Sequence, residues 1–416
     1  MTAWSEAIGT EADLRFAPLD FDHPLWVLFS SGTTGMPKGI VHGHGGILLE
    51  HLKQMRLQCD VRPGDRYLFV GSTSWMVWNL MVSSLLTGAT AVLLDGSPTY
   101  PDLGSTWARA AEVGATHLGV GAGYITACMK AGLTPASEHD LGALRALVST
   151  GSPLPLSGFE WCQEAIGPDV WLSSASGGTD VCSAFVGSSP LSPLRAGRLQ
   201  ARQLGVDVQA WDEAGRRLSG ETGELVVTKP MPSMPLRFWD DPDGARYLSA
   251  YFEEFPGVWR HGDFIQIFDD GSSIIHGRSD STLNRNGVRM GPADIYAAVE
   301  PLPEVLEAMV VGTELGEDYF MPLFVVLTEG ADEERTKEEI VAAIRRSLSP
   351  RHVPDEIILV PGIPHTRTGK KLEVPVKRML QGTPAAEALD AGAIDDPDLL
   401  PVYARIAAER RVEEPT

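Results

Sequence analysis

Basic residues are scarce in this chain. Thirty-four lysines and arginines stand against 55 acidic residues, a formal net charge of −21 over 416 residues. Such a surface repels nucleic acid and anionic membrane, so neither is expected as a partner. An anionic ligand would have to be held by local glycines, lysines and arginines against the overall field. Cysteine is sparse too: Cys59, Cys128, Cys162 and Cys182 show no C-x-x-C spacing. That excludes a disulfide-built scaffold and reads as reduced thiols in a cytoplasmic protein. The opening MTAWSEAIGTEADLRF lacks both a basic start and an apolar core, so no signal peptide is read there. The uncharged stretch Tyr67 to Leu94 is long enough for a bilayer. It is broken, however, by Gly71, Ser72, Thr73, Ser74, Asn79, Ser83, Ser84 and Gly88, and reads as strand, helix and strand in a buried core.

What is present is a change of rhythm along the chain. Up to about Phe185, the strand-like runs WVLFSS, YLFVGS, TAVLL, HLGVG, ALVST and VWLSS alternate with the helical runs GGILLEHLKQMRL, TWARAAEVG and GFEWCQEAIG. That alternation predicts an α/β domain with a mostly parallel sheet between helices, here residues 1–194. From 195 to 279 the runs VDVQAWD, GELVVT, DFIQIFDD and SSIIHG are separated by turns, with no helix of any length between them. They predict a small antiparallel, β-barrel-like subdomain. Residues 280–416 mix helical and strand-like runs, as a compact α+β C-terminal domain does. The stretch from Gln381 is alanine-rich and acidic, a docked helix or a loose tail.

One loop asks for a function. SSGTTGMPKG, Ser30 to Gly39, follows an apolar strand and gathers glycines, hydroxyls and a lysine. Backbone N–H groups in such a turn form an anion cradle, and glycine allows phosphate oxygens to approach closely. The spacing is not that of the common P-loop. A plain surface turn is the alternative reading of the loop alone.

With four further stretches, the loop resembles the adenylate-forming, AMP-binding acyl-CoA synthetases. WRHGD (Trp259 to Asp263), GRSDSTLNRNGVRMG (Gly277 to Gly291), HTRTGKK (His365 to Lys371) and GGTD (Gly177 to Asp180) are similar to motifs of that family, and they stand in its order. The resemblance implies ATP, Mg²⁺ and coenzyme A as cosubstrates and cofactor, and a small carboxylic acid as substrate. It implies that Ser30, Gly32, Thr33, Thr34, Gly35 and the catalytic Lys38 hold the β- and γ-phosphates. Catalytic Thr179 would donate to the α-phosphate, with Ser174 and Gly178 beside it, and Asp180 would ligate Mg²⁺. Gly151, Ser152 and Pro153 would line the adenine. Asp263 would accept from the ribose hydroxyls, next to Arg278, and Arg289 would touch the AMP phosphate. Lys370 would be the lysine that bridges acid and α-phosphate. The family's small domain turns about a hinge, here Asp280, bringing Gly287 to the acyl-adenylate. Arg345 is a candidate for a CoA phosphate, with a solvated basic helix face as its alternative.

Whole phrases, SWMVWNLMVSSLLTGA and TGKKLEVPVK among them, look like the acetoacetyl-CoA synthetase subfamily, which implies acetoacetate as the acid. Gly177 stands where short-chain members carry tryptophan, so it is expected to open the acyl pocket. Trp75, Trp78 and Asn79 would line that pocket or, on the alternative reading, form a helix core. Twenty-nine residues precede the loop, where the family carries roughly two hundred, a domain's length. The expectation is therefore an N-terminally truncated chain with an exposed apolar face, completed by a separate N-terminal half or by a homo-oligomer. An acyl-AMP ligase using another acceptor and a non-catalytic nucleotide-binding fragment stay open beside the ligase.

Overall fold

The computed structural model describes the chain outside residues 1–3, 10–12, 14, 31–37, 280–282, 286, 287, 316, 317, 367, 368, 390, 391, 393 and 413–416. Its centre is a five-stranded, wholly parallel sheet. The strands lie in the order Thr90–Val92, Arg66–Phe69, His117–Gly121, Ala146–Thr150, Trp171–Ser174. Strand alternation sends side chains to two different cores. Leu68, Leu118, Val120 and Leu147 pack under Trp107, Ile125, Phe159 and Cys162 of the helices Ser105–Glu112, Ala122–Lys130 and Leu156–Ala165. Tyr67, Phe69 and Val148 face Met55, Val77, Leu80 and Met81 on the other side. The five strands agree with the runs expected from the sequence. The run WVLFSS does not join them. It forms Pro24–Ser30, an antiparallel partner of Lys38–Gly43, with Arg237–Phe238 beside that strand. The helix Ala122–Lys130 lacked a clear polar–apolar period and was not expected. Among the described residues no helix is long and apolar enough to cross a membrane.

The β-rich stretch folds as a five-stranded antiparallel sheet running from Arg217–Leu218 through Val208–Trp211, Thr222–Val227 and Trp259–Ile267 to Ser273–Arg278. The expectation that no helix intervenes is corrected by Ala245–Phe252. Its start is tied by the Asp241 carboxylate, which accepts from the backbone N–H of Arg246 (3.1 Å) and Tyr247 (3.0 Å). Its aromatic face packs on Phe238 and Trp259. The hydrophobic core here crosses residue 195, joining Val181, Phe185 and Val186 to Val208, Leu225 and Ile265.

Beyond Arg278, the strands Val305–Val310, Pro322–Leu327 and Glu356–Leu359 form a small mixed sheet. The helices Pro292–Val299 and Glu333–Ser347 cover one face, and Glu373–Leu380 and Leu399–Val412 cover the other. The alanine-rich end is therefore a docked helix: Leu399, Tyr403 and Ala407, four residues apart, are buried. Tyr403 sets its ring at a tilt 5.1 Å from that of Phe324 and donates its hydroxyl to the Gly362 carbonyl at 3.0 Å. Tyr403→Ala should cost about 3 kcal/mol, as large core truncations do. Tyr403→Phe should cost about 1 kcal/mol, the hydrogen bond alone. Urea unfolding followed by fluorescence reads both; an unchanged Tyr403→Phe would remove the hydrogen bond from this account, and equal losses would remove the ring packing.

Candidate active site

A cavity of about 1280 Å³ opens at the carboxyl ends of the parallel strands, where open α/β sheets bind their ligands. Each wall comes from a different stretch of chain. Gly151, Ser152 and Pro153 follow the strand Ala146–Thr150, and Ser174 ends the next strand. Gly177, Gly178 and Thr179 lead into the turn after it, and Trp75 follows Arg66–Phe69. Asp263, Arg278 and His276 come from the antiparallel sheet, and Lys370 from the C-terminal unit.

Asp263 and Arg278 are cross-strand partners, with Arg278 Nη1 3.4 Å from Asp263 Oδ1. Gly262 precedes Asp263 at φ 87, and a Cβ there would stand 2.9 Å from Arg278 Nη2. Glycine is required by both the backbone and the guanidinium. Behind the pair, buried Glu224 accepts from the Gly262 N–H at 3.0 Å and from Ser279 Oγ at 3.1 Å. Burial pushes its carboxyl up to about 7, against the pull of Arg260. His261 lies edge-on to Phe185, with ring centroids 4.5 Å apart, and its Nε2 is 3.6 Å from Asp263 Oδ2. Burial lowers its pKa despite Asp263 and Asp180, so it stands as neutral imidazole.

Asp180 accepts a short hydrogen bond from the Tyr251 hydroxyl. Tyr251 stacks on Trp259 at 3.6 Å, and Lys38 Nζ lies 5.1 Å from the Tyr251 ring centroid. Burial would raise the Asp180 carboxyl, but His261, the Tyr251 hydroxyl, Lys38 and Arg278 hold it below the usual carboxylate range. Desolvation lowers the Lys370 ammonium below the ordinary lysine range, with Arg278 adding to this and Asp263 and Asp180 opposing it. The C-terminal unit is tied to the core by Lys130, whose Nζ donates to the Leu306 carbonyl at 2.6 Å and the Val305 carbonyl at 3.3 Å.

The structure therefore brings together Gly151, Ser152, Pro153, Ser174, Gly177, Gly178, Thr179, Trp75, Asp263, Arg278 and Lys370, with Asp180 and Lys38 at the edge. Ser30 faces Lys38 across the hairpin. Gly32, Thr33, Thr34, Gly35, Asp280 and Gly287 lie outside the described residues. Arg289 is paired with Asn284 in a short hairpin, and its side chain is not described. Trp78 packs against a hydrophobic core and is not among the residues lining the cavity, in line with the helix-core alternative, and Arg345 is exposed near the end of Glu333–Ser347, outside the cavity lining.

Gly177 needs a different reason from the expected one. A Cβ there would lie 2.0 Å from the Ser183 carbonyl oxygen and 2.5 Å from Ala184 Cα. The missing side chain opens no space; a passing strand fills it. His42, His51, His261 and Tyr251 were missed by sequence reasoning. Their only signal was the histidine-rich phrase HGHGGILLEH and the aromatic run around Tyr247 to Trp259.

Two predictions follow from this geometry. Gly177→Ala should destabilise the chain by about 1–3 kcal/mol, because backbone has to move, and a melting curve matching wild type would refute the close approach. His365 anchors the loop that carries Lys370: its Nε2 lies 2.7 Å from Glu307 Oε1 and its Nδ1 3.6 Å from Asp395 Oδ2. Burial lowers its pKa, yet the Glu307 hydrogen bond and charge, with Asp395, raise it on balance above 6.5. A raised histidine stabilises fully below its unfolded pKa and stops doing so as pH rises through the folded value. Hydrogen exchange around 364–371 should therefore be slower at pH 6 than expected from its rate at pH 9, after correction for intrinsic rates. His365→Gln should erase that difference.

The AMP-binding enzyme family matches residues 3–234, and the AMP-binding enzyme C-terminal domain matches residues 295–370. An acetoacetyl-coenzyme A synthetase of Rhizobium meliloti (strain 1021) is 47% identical over 392 residues, covering 94% of this chain and 60% of that protein. An acetoacetyl-CoA synthetase of Gallus gallus is 42% identical over 396 residues, covering 94% and 59%. The solved structure of acetoacetyl-CoA synthetase from Streptomyces lividans superposes with a TM-score of 0.90 at 56% identity, covering 96% of this chain and 62% of that one. The chain thus spans about three-fifths of the length of the curated relatives it matches. By these matches and by its site, the chain belongs to the AMP-binding enzyme family.

Proposed function

We propose that the chain activates a short carboxylic acid with ATP and passes it to coenzyme A: acetoacetate, ATP and CoA give acetoacetyl-CoA, AMP and pyrophosphate. The observation that carries this reading is the meeting of Thr179, the Asp263–Arg278 pair and Lys370 in one cavity from separate parts of the chain. Acetoacetate is supported by the names of the relatives.

In the first step a carboxylate oxygen bonds to the α-phosphorus while the bond to pyrophosphate breaks. Such a step asks the protein for position and positive charge rather than covalent help. Lys38 and the hydroxyls of Ser30, Thr33 and Thr34 would hold the leaving phosphates, with Gly32 and Gly35 giving close approach. Thr179 and Lys370 would face the α-phosphate and the acid. Asp263 would accept from the ribose hydroxyls, with Arg278 beside it. Gly151, Ser152 and Pro153 would lie along the adenine, near Ser174 and Gly178. The residues present fit Mg²⁺: the Asp180 carboxylate is a hard oxygen donor kept ionised, and this ion takes one or two carboxylates plus substrate phosphates. When bound, the ion would neutralise phosphate charge.

In the second step the CoA sulfur bonds to the acyl carbon, the thiol proton is lost, and the bond to AMP breaks. We propose that residues 280–416 turn about Asp280 relative to 1–194 and 195–279, bringing Gly287 toward the acyl group and Arg289 toward the AMP phosphate. Trp75 is the candidate wall of the acyl pocket. Four free, buried cysteines are consistent with a cytoplasmic location.

One observation favours a second component. Leu48, Leu49, Leu52, Leu85 and Leu86 are exposed, and the relatives are longer than this chain. Polypeptide equivalent to the unmatched part of those relatives, or a second copy of this chain, would cover that face.

The test is AMP release from ATP, Mg²⁺ and CoA with acetoacetate, acetate, butyrate or no acid. Acetoacetate should give the largest release, and Lys370→Ala should lower it at least about a hundredfold, the scale of losing one charge-stabilising donor. Release without CoA would favour an acyl-AMP ligase. ATP binding without turnover for any acid would leave a nucleotide-binding fragment.

A further inference from the structure

The turn that carries Thr179 and Asp180 is held in an unusual shape. Cys182 has φ 47, a left-handed conformation that residues with a side chain seldom adopt. Its N–H closes the turn onto the Thr179 carbonyl at 3.1 Å. Cys182 is buried, and the proposed reaction makes no use of its thiol.

The helix His44–Lys53 presents His51, whose Nε2 donates to the Cys182 carbonyl at 2.7 Å. A carbonyl only accepts, so the ring proton must sit on Nε2, and Ser83 Oγ donates to Nδ1 at 2.7 Å. His42, on the same strand as Lys38, donates from Nε2 to the Asp180 carbonyl at 3.0 Å. Ser183 Oγ completes the set, donating to Glu50 Oε1 at 2.7 Å. Burial lowers both histidines to about 4, so each remains a neutral donor near neutral pH.

We infer that His51, seconded by His42, is a positioning residue that holds Cys182 in its left-handed conformation at the end of the Thr179–Cys182 turn, so that Thr179 and Asp180 face the phosphate-binding side of the cavity. Each imidazole donates to a carbonyl of the turn, the Cys182 one buried and the Asp180 one half-buried. The strand Lys38–Gly43 sets Lys38 and His42 in one piece, so the same brace fixes the lysine relative to Asp180. The functional meaning rests on the proposed nucleotide reading; the geometric part does not.

The experiment compares the 416-residue chain with His51→Leu, His51→Gln, Ser83→Ala and the double variant His51→Leu with Cys182→Gly. Each is measured for melting temperature, for hydrogen exchange of peptides spanning 177–187, and for Mg·ATP affinity by calorimetry. His51→Leu should exchange faster in those peptides and bind Mg·ATP roughly tenfold more weakly, the usual effect of losing an outer-shell orienting group. His51→Gln keeps an N–H at similar reach and should restore both. Ser83→Ala, which removes only the donor to Nδ1, should shift both in the same direction by less. Cys182→Gly removes the conformational cost and should recover part of the His51→Leu loss. A lower melting temperature with unchanged exchange and affinity in every folded variant would overturn the inference, leaving His51 a core residue. If His51→Leu does not fold, Ser83→Ala and His51→Gln decide it by the same readouts. Absence of Mg·ATP binding by the unaltered chain would count against the nucleotide reading, while the exchange data would still judge the brace.

Discussion

A carboxylate can stand in the wall of this cavity because a guanidinium faces it across a strand ladder. Burying an unpaired charge costs several kcal/mol, so Asp263 depends on Arg278, and both depend on the register that sets them opposite. Glu224 holds that register from behind, binding Gly262 next to one partner and Ser279 next to the other. Much of the site is arranged to serve this pair. His261 fills the space beside Asp263 as a neutral ring, and Lys370 enters the cavity at the cost of burial and against Arg278, with Asp263 and Asp180 drawing its charge in.

The same economy of charge appears at Asp180. Its carboxylate is kept ionised by the Tyr251 hydroxyl and by cations from two separate segments, Lys38 and Arg278, while its backbone is held by a neutral histidine. Neutral donors to the backbone leave the local potential to the side chains that matter for an anionic ligand. A chain carrying −21 charges overall must hold an anionic ligand by individually placed cations such as Arg278 and Lys370 in the cavity wall. The strand Lys38–Gly43 and the helix bearing His51 are joined by hydrogen bonds to the turn after Gly178.

Much of the fold was legible because periodicity reports burial. The five parallel strands are short apolar runs with turn residues at their ends, and each was read correctly. The strand Pro24–Ser30 looked the same locally, yet pairs elsewhere; a local pattern identifies a strand but not its neighbour. Ala245–Phe252 was missed because the carboxylate that ties its start, Asp241, lies several residues upstream, and because its aromatics pack on Phe238 and Trp259, which the local sequence does not reveal. Gly177 shows the same limit within the site. Its identity was noted, but the reason, a strand passing 2.0 Å from where its Cβ would be, is tertiary.

The sequence by itself determined the chemistry on offer: the order of the motifs from Ser30 to Lys371, the acidic surface and the thiols without a pairing pattern. These are properties of residue type and spacing, and they survive without coordinates. Only the tertiary structure decided which of those residues meet, because cross-strand register and core packing join segments far apart in the chain. It put Trp75 at the cavity and Trp78 in the core, left Arg345 in solvent, and recruited His42, His51, His261 and Tyr251. A buried histidine acquires its role from the carbonyl it meets, and that carbonyl lies more than a hundred residues away for both His42 and His51.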